Sequence, residues 1–311
     1  MISQSTYKDK DSIVLENGVI RAEFLPHPGG KMVSFQSKES GFEFLVQRPG
    51  EIYKDQPFDG DYVAGECSGF DDMFPTIDVC EYQEEPWKGA KMADHGEVWS
   101  LPWESELTTD AVELKVEGVR FPYELTKRIY FLDERTLRFD YSLKNRSAFD
   151  FEFLWAGHFM FNMDVGTEVV VPNDCKRAVS VFTNANRPYG EILNWPLFEN
   201  AQGDTYAANI SRPATVKAFE KYYFENKLES GWCELVYKDL PHRLRLDFTA
   251  ETVPYLGILM NEGGWGGLYN IFIEPCTVCY DRPDVAKQRG QVSKVPPHST
   301  YLWGLNLQIK R

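Results

Sequence analysis

Along much of the chain every second residue is apolar. Leu137, Phe139, Tyr141 and Leu143 alternate with Arg138, Asp140 and Ser142, and Leu244, Leu246 and Phe248 alternate with Arg243, Arg245 and Asp247. Tyr301, Trp303, Leu305, Leu307 and Ile309 carry the same rhythm to the C-terminus. A period of two marks a strand with one face on a core and the other toward solvent, the usual condition of an antiparallel sheet. Val112, Leu114 and Val116 repeat the pattern up to Gly118, and Asn17-Gly18 between Ile13-Val14-Leu15 and Val19-Ile20 predicts a tight hairpin. Helical patterning is scarce. Residues 216–228 fit an amphipathic helix or a strand carrying Phe219, Tyr222, Tyr223 and Phe224, and Pro283 to Arg289 predict a single turn. No linker, repeat or low-complexity run divides the chain. The expectation is one all-β domain over residues 1–311, built as a large antiparallel sandwich of two packed sheets.

Composition narrows what such a sandwich does. The chain has 311 residues, 43% hydrophobic and 26% charged, an ordinary globular balance. A net charge of −14 would repel a phosphate backbone or an anionic bilayer, so neither nucleic acid nor membrane is expected as a partner. The N-terminus carries no apolar leader pattern, and no stretch approaches the ~18 consecutive apolar residues of a membrane span. A cytoplasmic location is expected, and a homodimer is compatible with the sequence. The six cysteines, Cys67, Cys80, Cys175, Cys233, Cys276 and Cys279, are spread out and read as reduced thiols. Cys276-x-x-Cys279 lacks both the second ligand pair of a zinc site and the βαβ setting of a redox motif, so neither metal nor cofactor is expected. Aromatics reach 14%. Indole beside polar side chains suits a sugar, whose C–H face stacks while its hydroxyls find partners.

Five histidines are available. His27 and His298 sit in proline-rich turns, and His242 opens an alternating strand, so all three read as structural. His95 stands in Asp94-His95-Gly96-Glu97-Val98-Trp99, where Asp94 or Glu97 could orient the ring and Gly96 could admit a ligand to the backbone. His158 stands in Leu154-Trp155-Ala156-Gly157-His158-Phe159, an apolar run in which imidazole is either a satisfied core group or a catalytic one. Glu274, ending the run Ile271-Phe272-Ile273, is a carboxylate that burial would make costly without a partner. Spacing alone does not bring these three together.

In order along the chain, these segments resemble the aldose 1-epimerase, or galactose mutarotase-like, superfamily. The resemblance runs through Asn17-Gly18-Val19-Ile20-Arg21-Ala22, Pro28-Gly29-Gly30-Lys31, Gly69-Phe70-Asp71-Asp72-Met73-Phe74-Pro75, His95-Gly96-Glu97-Val98-Trp99, Phe121 to Arg128, Trp155 to Asn162 and Glu274-Pro275-Cys276-Thr277. It implies a β-supersandwich with a sugar cleft, His158 as general acid, Glu274 as general base and His95 as a substrate-binding histidine. It also makes Asp72, Trp99, Trp155 and Arg128 candidate substrate contacts. The Asn-Arg-Ile arginine motif of galactose mutarotases proper is missing, with Asp71-Asp72 in that region, and Phe159 stands where many relatives have proline.

Interconverting the anomers of a free aldose requires one group to take the anomeric hydroxyl proton while another protonates the ring oxygen. Glutamate, with a reference pKa of ~4.3, suits the base, and histidine, at ~6.5, suits the acid if a carboxylate keeps it charged. The expected function is therefore a mutarotase acting by acid–base ring opening. A non-catalytic carbohydrate-binding protein is the alternative, and a glycosidase using Asp72 and Glu274 is a third reading. A phosphorylated substrate would need Arg128, Arg177 and Arg282 to be gathered by the fold.

Overall fold

The computed structural model describes residues 1–200 and 202–311. Among the described residues the long strands form two antiparallel sheets. The eleven-stranded sheet runs, edge to edge, through Ile2–Tyr7, Lys10–Glu16, Ile20–Leu25, Lys31–Ser37, Phe70–Met73, Ala156–Asn162, Tyr269–Cys276, Tyr255–Glu262, Ala218–Phe224, Arg177–Thr183 and Ile192–Asn194. The eight-stranded sheet runs through Glu168–Val170, Trp232–Val236, Arg243–Phe248, Thr300–Lys310, Thr136–Asn145, Tyr123–Asp133, Ala111–Glu117 and Glu104–Leu107.

The alternating segments form the strands their pattern predicts. Residues 137–143, 244–248, 301–309 and 112–116 all lie in the eight-stranded sheet, whose other face meets solvent. The Asn17-Gly18 hairpin forms, and the Asn17 side-chain oxygen accepts hydrogen bonds from the Val19 and Ile20 amides, each 2.8 Å, closing the turn. Residues 218–224 are strand, not helix, and Pro283–Gln288 make a short α-helix. The six cysteines are buried free thiols. No helix among the described residues is long and apolar enough to cross a membrane.

Two apolar layers position the site. Between the sheets, Phe24 and Phe70 from the larger sheet meet Phe139 from the smaller edge-on at 6.2 and 5.7 Å, in a core that also holds Phe159, Ile273 and Ile258. The centre of the larger sheet is buried on its other face as well, where Met73, Met160, Tyr223, Leu259 and Phe272 form a second cluster under loops that contribute Tyr62, Ile77 and Tyr280. Strands Ala156–Asn162, Tyr255–Glu262 and Tyr269–Cys276 are therefore covered on both sides, which is why they read as continuous apolar runs. A polar side chain on that second face is held away from bulk water.

Candidate active site

Strand register gathers the chemistry on this second face. The pairing from Ala156 opposite Cys276 to Phe159 opposite Ile273 sets His158 across from Glu274, and His158 pairs with Asp71 on its other side. His158 Nε2 lies 3.7 Å from Glu274 Oε1, with the two residues 5% and 0% exposed. Both line a cavity of about 250 Å³, together with the polar His95, Tyr62, Asp78, Lys221 and Asp281 and the aromatic Phe182, Trp265 and Phe272.

Glu274 is joined by a cation. Lys221 Nζ stands 2.7 Å from Glu274 Oε2 and 2.7 Å from Asp281 Oδ1, and the Tyr223 hydroxyl donates to the same Asp281 oxygen at 2.6 Å. The Tyr223 ring fits because residue 257 is glycine: a Cβ there would sit 2.8 Å from the ring. Oε2 is held by the Lys221 ion pair, and Oε1, which faces His158, accepts no hydrogen bond among the described residues. Burial raises the Glu274 pKa above its ordinary value, with Lys221 opposing. Burial also works against the Lys221 ammonium, but Asp281 and Glu274 outweigh it and hold its pKa above the usual lysine value.

The two histidines are oriented differently. Asp94 accepts from His95 Nδ1 at 2.9 Å with one oxygen and from the Tyr62 amide at 2.9 Å with the other. The Tyr62 ring stacks on His95, centroids 4.2 Å apart and planes 20° off parallel, and meets His158 edge-on. Its hydroxyl contacts His158 Nδ1 at 3.3 Å and donates to Asp71 at 2.8 Å, and Asp71 pairs with buried Lys31 at 2.8 Å. Burial, reinforced by His95, Lys221 and Lys31, pushes the His158 pKa well below the ordinary histidine value. These influences oppose the charged form that a neighbouring carboxylate was expected to favour.

Other expectations shift as well. Asp94, not Glu97, orients His95; Glu97 is buried and taken up by the Val119 and Arg120 amides and the Tyr123 hydroxyl. Gly96, at φ +80°, admits the Phe74 carbonyl rather than a ligand, since a Cβ there would run into that carbonyl. Asp72 faces the layer between the sheets, paired with Lys127 at 2.7 Å and accepting from Trp155 Nε1 at 2.9 Å. Trp155 packs there against Tyr141 and Trp303. Both lie on the far side of the sheet from the cavity, and Asp72 shares no site with Glu274, which removes the paired-carboxylate basis of the glycosidase reading. Trp99 stands behind Tyr62 and donates to the Asp94 carbonyl at 3.0 Å. Arg128 is on the other sheet, 45% exposed beside Asp110. Arg177 and Arg282 pair with Glu225 and Asp284, so the three arginines are not gathered.

Lys221, Asp281, Tyr62 and Trp265 were not singled out from the sequence. Trp265 carried a signal, an aromatic flanked by Gly263-Gly264 and Gly266-Gly267. Two other hollows are chemically quieter. In one, near Arg212, Glu262 and Glu220 are each tied to an arginine, at 2.6 and 2.9 Å. The other is a surface groove beside Lys10, His27 and Ser105. Among the described residues no group of three or more His, Cys, Asp or Glu side chains is placed to hold a metal ion.

No protein-family model matches the sequence, and no curated protein matches it. Solved structures do. A galactose mutarotase-like protein from Lactobacillus casei superposes with a TM-score of 0.71 at 16% identity, over 96% of this chain and 99% of that one. A galactose mutarotase-like protein from Clostridium acetobutylicum gives 0.68 at 17% identity, over 100% and 98%. A galactose mutarotase related enzyme from Lactobacillus acidophilus gives 0.69 at 16% identity, over 96% and 97%. Near end-to-end coverage on both sides carries the conclusion: the chain has the galactose mutarotase-like β-sandwich fold.

Proposed function

We propose that the chain is a mutarotase, interconverting the anomers of a free aldose in the cavity that holds His158 and Glu274. The observation that carries this is the 3.7 Å approach of an imidazole nitrogen of His158 and a carboxyl oxygen of Glu274 in a pocket shielded from water. Anomer exchange needs one acid and one base around C1, with one proton between them, and this pair supplies both. Trp265 and Phe272 offer aromatic surface for the apolar face of a pyranose, and His95 is a further hydrogen-bonding side chain of the lining. A cavity of about 250 Å³ is smaller than the ~300–1,000 Å³ of sites for drug-sized ligands, which suits one sugar ring. The fold of the solved neighbours is consistent with the reading. Positioned proton transfers contribute ~10²–10⁴ each, so Glu274→Gln should slow exchange by at least that factor while the circular dichroism spectrum stays unchanged. Full exchange activity in that variant would overturn the assignment.

A further inference from the structure

A carboxyl group cut off from water is ordinarily driven to its protonated form, in which it cannot accept a proton. Glu274 is 0% exposed, and the lining of its cavity offers one lysine, Lys221, and no arginine. Lys221 Nζ stands 2.7 Å from Glu274 Oε2, which leaves Oε1 as the oxygen that faces His158 at 3.7 Å. The ammonium is held from its other side as well. Asp281 Oδ1 lies 2.7 Å from it, and the same oxygen accepts from the Tyr223 hydroxyl at 2.6 Å. The Asp281 carbonyl accepts from the Ile77 and Asp78 amides at 3.1 and 3.0 Å, so this acid is fixed through main chain and side chain alike. One ammonium between two carboxylates leaves one negative charge over, and Lys221 cannot neutralise both. We propose that Lys221 is a positioning residue that keeps Glu274 an ionised carboxylate with Oε1 turned to the sugar, and that Asp281 shares the ammonium so that Glu274 stays a usable proton acceptor.

The purpose of this arrangement rests on the mutarotase reading, but its content is the charge state of one carboxyl group. The titratable groups around Glu274 are few. Strand Ala218–Phe224 contributes Lys221, strand Ala156–Asn162 contributes His158, and the segment after Tyr269–Cys276 contributes Asp281. The loops over the cavity add Tyr62, Asp78 and His95, and strand Tyr255–Glu262 sets the uncharged Gly257 opposite Glu274. Burial works against the Glu274 charge, Lys221 supports it, and Asp281 opposes it. An opposite charge this close lowers a carboxyl pKa by ~1–3 pH units, and a like charge raises it. A general base works best when its pKa lies near the working pH. Burial alone would leave Glu274 protonated, and an unshared ammonium would make it a weak acceptor. Removing Lys221 and removing Asp281 should therefore have opposite consequences.

The test is the ionisation itself, read without any sugar. Protein carrying ¹³C at the glutamate carboxyl carbons is titrated by NMR from about pH 4 to 9, with Glu274→Gln used to assign the signal. Wild-type Glu274 should be a carboxylate at pH 7. Lys221→Met should move its midpoint up by ~1–3 pH units, Asp281→Asn should move it down, and Lys221→Arg should restore a value close to the wild type. The acidic limb of kcat/KM for anomer exchange of a free aldose should move in the same directions, so that Lys221→Met regains activity as the pH rises. Loss of packing alone would lower the rate equally at every pH and move neither midpoint. A wild-type Glu274 protonated at pH 7 would overturn the proposal, as would an unmoved midpoint in Lys221→Met or shifts of one sign in both variants. If Lys221→Met does not fold, the wild-type and Asp281→Asn titrations decide. Should the midpoints move as expected while the wild type accelerates no sugar, the mutarotase reading fails and the charge assignment stands.

Discussion

Lys221 is the side chain whose loss the site should feel most. It is fully enclosed, and it is the cation between two buried carboxyl groups, 2.7 Å from each. Lys221→Met keeps most of the stem but leaves Glu274 and Asp281 facing each other without a countercharge. Breaking a buried ion pair from one side typically costs ~3–5 kcal/mol, because the surviving charge has lost its water and gains nothing in exchange. Against a total stability of ~5–15 kcal/mol, that is a large fraction, and it corresponds to a fall in Tm of about 5–8 °C for a chain of this size. The pH dependence separates this cause from lost packing. In the variant Glu274 loses the cation that opposes its burial, so its folded pKa rises further above the unfolded value and the folded state binds more protons there than the unfolded one. Stability is then greatest below the unfolded carboxylate range, near pH 4, and is lost as the pH rises through the raised folded value. Chemical denaturation of both proteins from pH 4 to 8 should therefore show a gap that is widest at pH 7–8 and narrows toward pH 4. A gap below about 1 kcal/mol, or one of constant size across that range, would refute the idea that Lys221 holds the acids by charge.

Other expectations follow from the same geometry. His158→Ala should remove exchange activity by ~10²–10⁴-fold, and His95→Ala should weaken sugar binding as well as rate, read by NMR exchange and by titration calorimetry. Because the folded pKa of His158 is depressed, its contribution to stability is present above the unfolded value of ~6.5 and is lost as the pH falls below it; an NMR titration should find the ring still neutral at pH 6. Asp72→Ala should destabilise by ~3–5 kcal/mol in denaturant melts, since it strands Lys127 between the sheets. Arg128→Ala should stay within about 0.5 kcal/mol of wild type with unchanged exchange, as expected of an exposed pair with Asp110.

Much of the sandwich could be read from the chain because half of it is solvent-facing. Segments such as 137–143 and 301–309 advertise a period of two. The central strands do not, since Ala156–Asn162 and Tyr255–Glu262 are buried on both faces, and there the informative residues are the few polar ones. His158 and Glu274 stood out for that reason. Lys221 did not, because 216–228 fitted a helix as well as a strand, and only strand geometry sends Lys221 and Tyr222 to opposite faces. Asp71 and Asp72 teach the same lesson. Adjacent residues on a strand point to opposite sides, so one reaches the Tyr62–His158 network and the other the Lys127 pair between the sheets. Composition identifies such a doublet, but register decides which member faces the cavity.

On the mutarotase proposal, His158 and Glu274 carry out the proton transfers at the anomeric centre of a free sugar. Saturation-exchange NMR on the wild-type protein, across a panel of aldoses, uronic acids and sugar phosphates, tests it most directly. At least one free reducing sugar should exchange its anomers faster than in buffer, and the acceleration should disappear in Glu274→Gln. Saturable binding of a sugar with no acceleration of any member of the panel would contradict the claim and leave a carbohydrate-binding protein on the same fold.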